Sequence, residues 1–171
     1  MARFVSELAR PLGDEVVLDE IALPVGVRLS PRREQVGAIV VADVVPDGAM
    51  RAYEVRSIVQ QDLPASPVRM WVFFEHRRSI SYDEFSSHWA DVHAPLARMH
   101  HVGMRRYVQH HVVGEVRGDG TPVHGIAELH FDSLDDFASR FYASDESVRI
   151  IGEDVAKFSG RSSDTYITIE Q

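Results

Sequence analysis

The clearest hydrophobic pattern in the chain begins at residue 68. The stretch "VRMWVFFEH" (68–76) is a nearly continuous apolar run, which is typical of a strand buried on both faces. After it, apolar residues recur at spacings of three and four and predict one stripe of an amphipathic helix: Tyr82, Phe85, Trp89, Val92, Leu96 and Met99. Ser81 and Glu84 form an S-x-x-E capping box, which marks the start of this helix.

The same alternation of strand and helix continues to the end of the chain. "GMRRYVQHHVV" (103–113) and "IAELHF" (126–131) predict a second and a third strand. Ser133 caps a helix with Leu134, Phe137 and Phe141, and a further helical segment carries a stripe of Val148, Ile151, Val155 and Phe158. "SGRSSD" (159–164) breaks that segment, and "TYITIE" (165–170) predicts a final strand.

This order, β-α-β-β-α-β, predicts an α+β fold of the ferredoxin-like type, with both helices on one face of an antiparallel sheet. The other face needs a cover. The commonest cover is the same sheet of a second subunit, so we expect a homodimer that forms an α+β barrel. The N-terminal segment is the alternative cover.

Residues 1–66 predict a β-rich N-terminal extension, and residues 67–171 the ferredoxin-like domain. "EVVLDEIAL" (15–23) and "VGAIVVADVV" (36–45) are rich in β-branched residues. The turn signal "VPDGAM" (45–50) predicts a hairpin from about residue 37 to 60. The proline-containing "QQDLPASPV" (60–68) predicts a linker.

Composition excludes several classes of protein. A net charge of −8 without a basic stripe argues against nucleic-acid binding. No apolar run reaches the roughly 20 residues of a membrane helix, and the N-terminus has no apolar core of a secretory signal. The absence of cysteine excludes thiolate catalysis and disulfides, and it fits the cytoplasmic location that we expect.

The predicted helix has a breaker at its centre, in "WADVHAPL" (89–96). Pro95 has no N–H for the carbonyl of Asp91, and it disfavours α geometry at Ala94, so we expect a kink within 92–94. His93 lies beside the buried stripe at this point. Two interpretations stay open: His93 hydrogen-bonds a freed carbonyl, or it acts as a general acid or base, since imidazole titrates near neutrality.

Three stretches together resemble the EthD family: "SYDEFSSHWADVHAPLARM", "GMRRYVQHHVV" and "GIAELHFDSLDDF". The resemblance covers about residues 68–171 and implies a dimeric α+β barrel. Family members are associated with degradation of small organic molecules, and fungal relatives are dehydratases in aromatic polyketide biosynthesis. The resemblance implies that His93 is the best catalytic candidate, with Tyr107 and Glu128 at matching strand positions. His130 departs from the pattern, because an aromatic residue is usual there.

Alternation along the strands suggests further site residues. Glu128 and His130 share one face of the third strand, within reach of each other and pointing away from Leu129 and the helices. A salt bridge at the rim or a dimer contact is the alternative role for this pair. Which face of the second strand lines the pocket stays an open question. The candidate catalytic residues are His93, Glu128, His130 and Tyr107, and the candidate substrate-binding residues are Trp89, Trp71, Phe73, His110 and His111.

Three functions fit this site. The first is a cofactor-independent enzyme that uses acid/base chemistry, such as dehydration, cyclisation or isomerisation, on an apolar, aromatic or polyketide-like molecule. The second, by analogy of fold, is a monooxygenase that works without a cofactor or with haem. The third is a non-enzymatic ligand-binding protein. We predict no metal site, because the H-x4-H spacing of His88 and His93 does not place both rings on one face of an α-helix.

Overall fold

Eight strands form one antiparallel sheet. The computed structural model describes residues 2–11, 13–18, 20–31, 35–64 and 66–170, apart from the side chains of residues 162 and 163. The strands are β1 Phe4–Leu8, β2 Glu15–Val17, β3 Ala38–Ala42, β4 Ala49–Asp62, β5 Val68–His76, β6 Met104–Arg117, β7 Gly125–Phe131 and β8 Ser159–Glu170. Their order in the sheet is β2-β8-β5-β7-β6-β4-β1-β3, and the edge strands β2 and β3 touch, so the sheet nearly closes on itself.

Helices cover one side of this sheet. The first helical segment is continuous and has three parts: α1 Tyr82–His88, a π-helical turn Trp89–His93 and α2 Ala94–His100. The others are α3 Leu134–Ser139 and α4 Asp145–Phe158. The predicted capping box of Ser81 with Glu84 is confirmed, and the Ser133 side chain accepts from the N–H of Asp136 as predicted. No helix in the described ranges is long and apolar enough to cross a membrane.

The two faces of the sheet bury different clusters. Met70, Phe74, Leu129 and Phe131 pack with the helices, as the alternation along β7 predicts. On the other face, strands from the whole length of the chain pack together inside the barrel: Val5, Ile39, Tyr53, Trp71, Phe73, Ile126 and Tyr166. The N-terminal strands therefore cover the face for which the sequence predicts a second subunit. The mixed α and β fold, with a nearly closed antiparallel sheet, is confirmed.

The predicted hairpin between about residues 37 and 60 is wrong. β1 lies between β3 and β4 and pairs with both, so that Phe4 is opposite Ala42 on one side and Glu54 on the other. The turn itself is present, with Gly48 at φ +78°. The six residues between β3 and β4 are enough to cross a single intervening strand, which a local pattern does not reveal.

Two other boundaries differ from the prediction. β4 continues to Asp62, which pairs with Arg106, so the predicted linker begins as strand; Ala65 within it lies outside the described residues. β8 begins at Ser159, where the sequence predicts a break, because these residues pair with the end of β5. Of "EVVLDEIAL" only residues 15–17 form a strand, and Asp19 lies outside the described residues.

Candidate functional site

The break in the first helical segment is a π turn. The N–H of Ala94 donates to the carbonyl of Trp89, five residues earlier. Ala94 keeps α geometry, with φ −61° and ψ −42°, so the predicted departure at Ala94 is wrong. The chain accommodates Pro95 by widening the turn before it.

Two glutamines donate to carbonyls at this turn. In this wider register the N–H of Ala94 donates to the carbonyl of Trp89 and is not available to Ala90. The next residue, Pro95, has no N–H, so it cannot donate to the carbonyl of Ala90 either. The Gln60 side chain donates to the carbonyl of Ala90 at 3.3 Å, and Gln109 donates to that of Trp89 at 2.8 Å. His93 is therefore free of the carbonyl-capping role.

The extra residue in the turn places His88 and His93 on the same side of the helix. His88 Nε2 lies 3.0 Å from Asp154 Oδ1, and His93 Nδ1 lies 3.0 Å from Asp154 Oδ2. The prediction that H-x4-H cannot share a face is wrong, because it assumed an α-helix throughout. The described ranges contain no group of three or more histidines, aspartates or glutamates arranged to hold a metal ion.

Asp154 on α4 orients the ring of His93. Burial alone would raise the pKa of Asp154, but hydrogen bonds from His93, His88 and Lys157 outweigh it and hold that pKa below its usual value. The ionised carboxylate accepts, so Nδ1 of His93 carries the proton. Nε2 is left as the basic nitrogen.

His93 itself is neutral in this setting. It is 7% exposed, and burial lowers its pKa below the usual value more than Asp154 raises it. A neutral imidazole with one defined tautomer is the form in which histidine accepts a proton.

His93 lines a cavity of about 480 Å³ between the helices and the helix side of the sheet. Residues 26–31 of the N-terminal segment form another part of its wall. Most of the lining is apolar, and it includes Met70, Phe74, Leu129, Phe141, Ile151, Val155 and Phe158. A mainly apolar cavity of this volume with few polar groups is typical of a small-molecule site.

Tyr107 lines this cavity, and its hydroxyl has two buried partners. Its hydroxyl accepts from Trp89 Nε1 at 2.9 Å and from Gln109 Nε2 at 2.9 Å. The orientation of Gln109 is set by the carbonyl of Trp89, which can only accept. Burial raises the pKa of Tyr107 well above its usual value, so the phenol keeps its proton. Both partners donate to its oxygen, so neither of them accepts the hydroxyl proton.

A second buried histidine lines the cavity. His101 Nδ1 lies 2.8 Å from the carbonyl of Phe141, which can only accept, so this nitrogen carries the proton. Burial lowers the pKa of His101 to about 4, so the ring is neutral and its Nε2 is an acceptor.

The sequence prediction missed Asp154 and His101. Asp154 interrupts the apolar stripe of α4 between Ile151 and Phe158, and a carboxylate at such a position is a usable signal. His101 follows the end of α2 and carries no comparable signal.

Glu128, His130 and His110 form a separate cluster inside the barrel. Glu128 accepts from His130 Nε2 at 2.6 Å and from His110 Nε2 at 2.8 Å, and His110 Nδ1 lies 2.8 Å from the hydroxyl of Ser57. Burial would raise the pKa of Glu128, but the bonds from the two histidines lower it to about 2. Glu128 and His130 therefore meet as the alternation predicts, on the face away from the cavity.

The predicted site residues thus divide between the two faces of the sheet. His93, Tyr107 and Trp89 line the cavity. His111 is on the same side of the sheet but is not among the lining residues. Its ring packs against Trp89, with 4.6 Å between ring centres, and its Nδ1 lies 2.9 Å from the hydroxyl of Ser86. The five others lie on the barrel side: Glu128, His130 and His110 form the polar cluster, and the ring of Trp71 stacks on His110. Phe73 packs there as well.

Comparison with known proteins identifies the family. The model of the EthD domain matches residues 77–162, half of the chain. A solved structure of an ethyl tert-butyl ether D (EthD) family protein from Bacillus halodurans is similar, with 24% identity, 59% of this chain and 95% of that chain covered, and a TM-score of 0.47. No curated protein matches this chain. With its helix motif, its histidine and its strand tyrosine all inside the matched range, the chain belongs to the EthD family.

Proposed function

We propose that this protein is an enzyme that moves protons on an apolar, aromatic or polyketide-like small molecule, without a cofactor. One observation carries the proposal: Asp154 holds Nδ1 of His93, and the ring lines a mainly apolar cavity. Only Nε2 is then left for a ligand. A buried, neutral and oriented imidazole is what a general base requires.

The residues have distinct roles in this proposal. His93 Nε2 removes a proton from the carbon next to a carbonyl group of the ligand, and the electron pair moves onto the carbonyl oxygen. Tyr107 donates a hydrogen bond to that oxygen as its negative charge develops. The imidazolium of His93, stabilised by Asp154, then returns the proton to a leaving hydroxyl in a dehydration, or to another carbon in an isomerisation.

The barrel cluster has no part in these steps. Glu128 and His130 stay candidates only from the sequence, and their position on the other face favours a role in stability. The strand order β8-β5-β7-β6 supports the ferredoxin-like arrangement that we propose for residues 68–170. The homodimer stays a prediction, and its main reason, an uncovered sheet face, is removed by the N-terminal strands.

The proposed function is tested through its first step, the removal of a proton next to a carbonyl group. 2-Tetralone is a bicyclic aromatic ketone with exchangeable protons next to its carbonyl, and NMR in deuterated buffer follows their loss. We expect the protein to catalyse this exchange, and His93→Gln to slow it by about 10²-fold or more while 2-tetralone still binds. Calorimetry measures that binding.

Other outcomes separate the alternatives. Exchange at the same rate in His93→Gln contradicts the role of His93. Binding without exchange supports the ligand-binding protein. Uptake of oxygen with anthrone, without exchange of 2-tetralone, supports the monooxygenase.

A further inference from the structure

The N-terminal segment builds one wall of the cavity. Residues 26–31 line it, and they precede the range that matches the EthD domain. The N–H of Ser30 donates to the carbonyl of Thr165 at 2.8 Å, and the hydroxyl of Ser30 bonds Asp164, so the segment is fastened to β8. A turn in which the N–H of Val27 donates to the carbonyl of Pro24 shapes its start. This wall is therefore a fixed part of the site.

Arg28 is the cation on this wall. It lines the cavity while its side chain remains exposed, which places it at the mouth. Among the described residues it has no hydrogen bond or ion pair, whereas other arginines in those ranges hold carboxylates or carbonyls: Arg51, Arg69, Arg77, Arg98, Arg106, Arg117, Arg140 and Arg149. In a chain of net charge −8, an unpaired guanidinium is available for an anion.

Arg28 is the one arginine or lysine in the described lining of the cavity. The two histidines of the lining are neutral, because burial lowers the pKa of both His93 and His101. Asp164 is already bound to Arg51 and Ser30. A ligand with an anionic group deep inside would leave that charge without a cationic partner, at a high desolvation cost. At the mouth the same group keeps part of its hydration and meets Arg28.

We propose that Arg28 selects ligands in which an apolar aromatic body carries a carboxylate at one end. The body enters the cavity towards His93 and Tyr107, and the carboxylate stays at the mouth and accepts from the guanidinium of Arg28. This inference rests on the proposed function, since it takes the same cavity as the site. It names aromatic carboxylic acids as the substrate class.

The test compares two ligands that differ by one carboxylate, 2-naphthol and 3-hydroxy-2-naphthoic acid. Calorimetry gives the affinity of each for the wild type, for Arg28→Ala and for Arg78→Ala. Arg78 is the matched control, because its side chain is 88% exposed and outside the cavity lining, and its removal changes the net charge equally. We expect the wild type to prefer the acid by about fivefold, a typical magnitude for a partly exposed charge-assisted contact.

Arg28→Ala should lose this preference and keep its affinity for 2-naphthol, and Arg78→Ala should keep both. The preference should also shrink as salt is added. An equal preference for the acid in Arg28→Ala, or an equal loss in both variants, overturns the inference while the cavity keeps its proposed use. Failure of both ligands to bind the wild type overturns the proposed function and this inference with it.

Discussion

At the scale of residues, the proposed chemistry rests on the pair of His93 and Asp154. The carboxylate fixes the tautomer of the ring, and burial keeps the ring neutral. The rate of proton removal should therefore rise as the pH climbs through the pKa of His93 and level off above it. Because the pKa of His93 is lowered, this increase in rate should occur at a pH below that at which an exposed histidine titrates.

Asp154→Asn tests the positioning role. Asp154 raises the pKa of His93 through its hydrogen bond and its charge, so the variant should have a still lower pKa and its rate should rise at lower pH. Its plateau rate should fall by roughly 10²-fold, because the amide no longer enforces the productive tautomer. The pH profile of 2-tetralone exchange measures both effects. A reduced plateau with an unshifted rise would indicate a general loss of structure instead.

The sequence points to His93 and Tyr107 more clearly than to Asp154. His93 and Tyr107 lie in motifs that resemble the EthD family, so the amino-acid sequence is enough to make both candidates, and both line the cavity. Asp154 is 61 residues from His93, and only the packing of α4 against the π turn brings them together. The stripe of α4 indicates that Asp154 faces inward. It does not indicate that His93 is the partner, because that packing depends on the whole fold.

At the scale of elements, the π turn accommodates Pro95 and brings His88 and His93 to the same carboxylate, Asp154. Pro95 predicts a break, but the π turn also involves two strand residues: Gln60 donates to the carbonyl of Ala90, which lacks its backbone donor, and Gln109 adds a second hydrogen bond to the carbonyl of Trp89. Capping boxes are local in sequence and are predicted well, whereas the π turn needs partners from β4 and β6. The pairing of β1 between β3 and β4 is non-local in the same way.

Replacing Pro95 with alanine tests this view of the helix. Alanine at this position would restore an N–H, so a regular α-helix becomes accessible, and π turns persist mainly where function requires them. We expect Pro95→Ala to be at least as stable as the wild type and to catalyse 2-tetralone exchange about tenfold more slowly, since a change of register would turn His93 away from Asp154. Urea unfolding and the exchange rate measure the two quantities. A fully active variant would show that the π turn is not needed to place His93.

At the scale of the whole molecule, the sheet separates a mainly apolar cavity from a buried polar cluster. The cavity with His93 lies on the helix side, and the cluster of Glu128, His110 and His130 lies inside the barrel. The inner cluster joins β4, β6 and β7, and the buried contacts of Arg51 with Glu7 and Asp164 join β1, β4 and β8. These contacts tie the N-terminal strands to the family domain.

Glu128→Gln should affect stability and leave the chemistry intact. Removing one partner from a buried charged cluster costs about 3–5 kcal/mol of unfolding free energy. The pKa of Glu128 is about 2 in the folded protein against a usual 4.5, so the carboxylate stabilises the fold above pH 4.5, and this contribution is lost as the pH falls towards 2. The deficit of the variant should therefore be largest above pH 4.5 in urea titrations.

The folded fraction of Glu128→Gln should exchange 2-tetralone at the wild-type rate. A variant that is stable but inactive would place Glu128 in the catalytic site after all. Sequence alternation predicts the contact of Glu128 with His130 correctly, but it does not say which face of the sheet holds the ligand cavity. That depends on what covers each face, and the cover comes from the helices on one side and from β1 to β4 on the other.

The most direct test of the account is the protonation state of His93 itself. NMR of protein with nitrogen-15-labelled histidine distinguishes the two ring nitrogens, and His93→Gln assigns the signals of His93. We predict that near neutral pH Nδ1 carries the proton and Nε2 is bare, and that 2-naphthol shifts the Nε2 signal. A ring protonated at Nε2, or a His93 signal unchanged at a concentration where 2-naphthol is bound, would contradict the account.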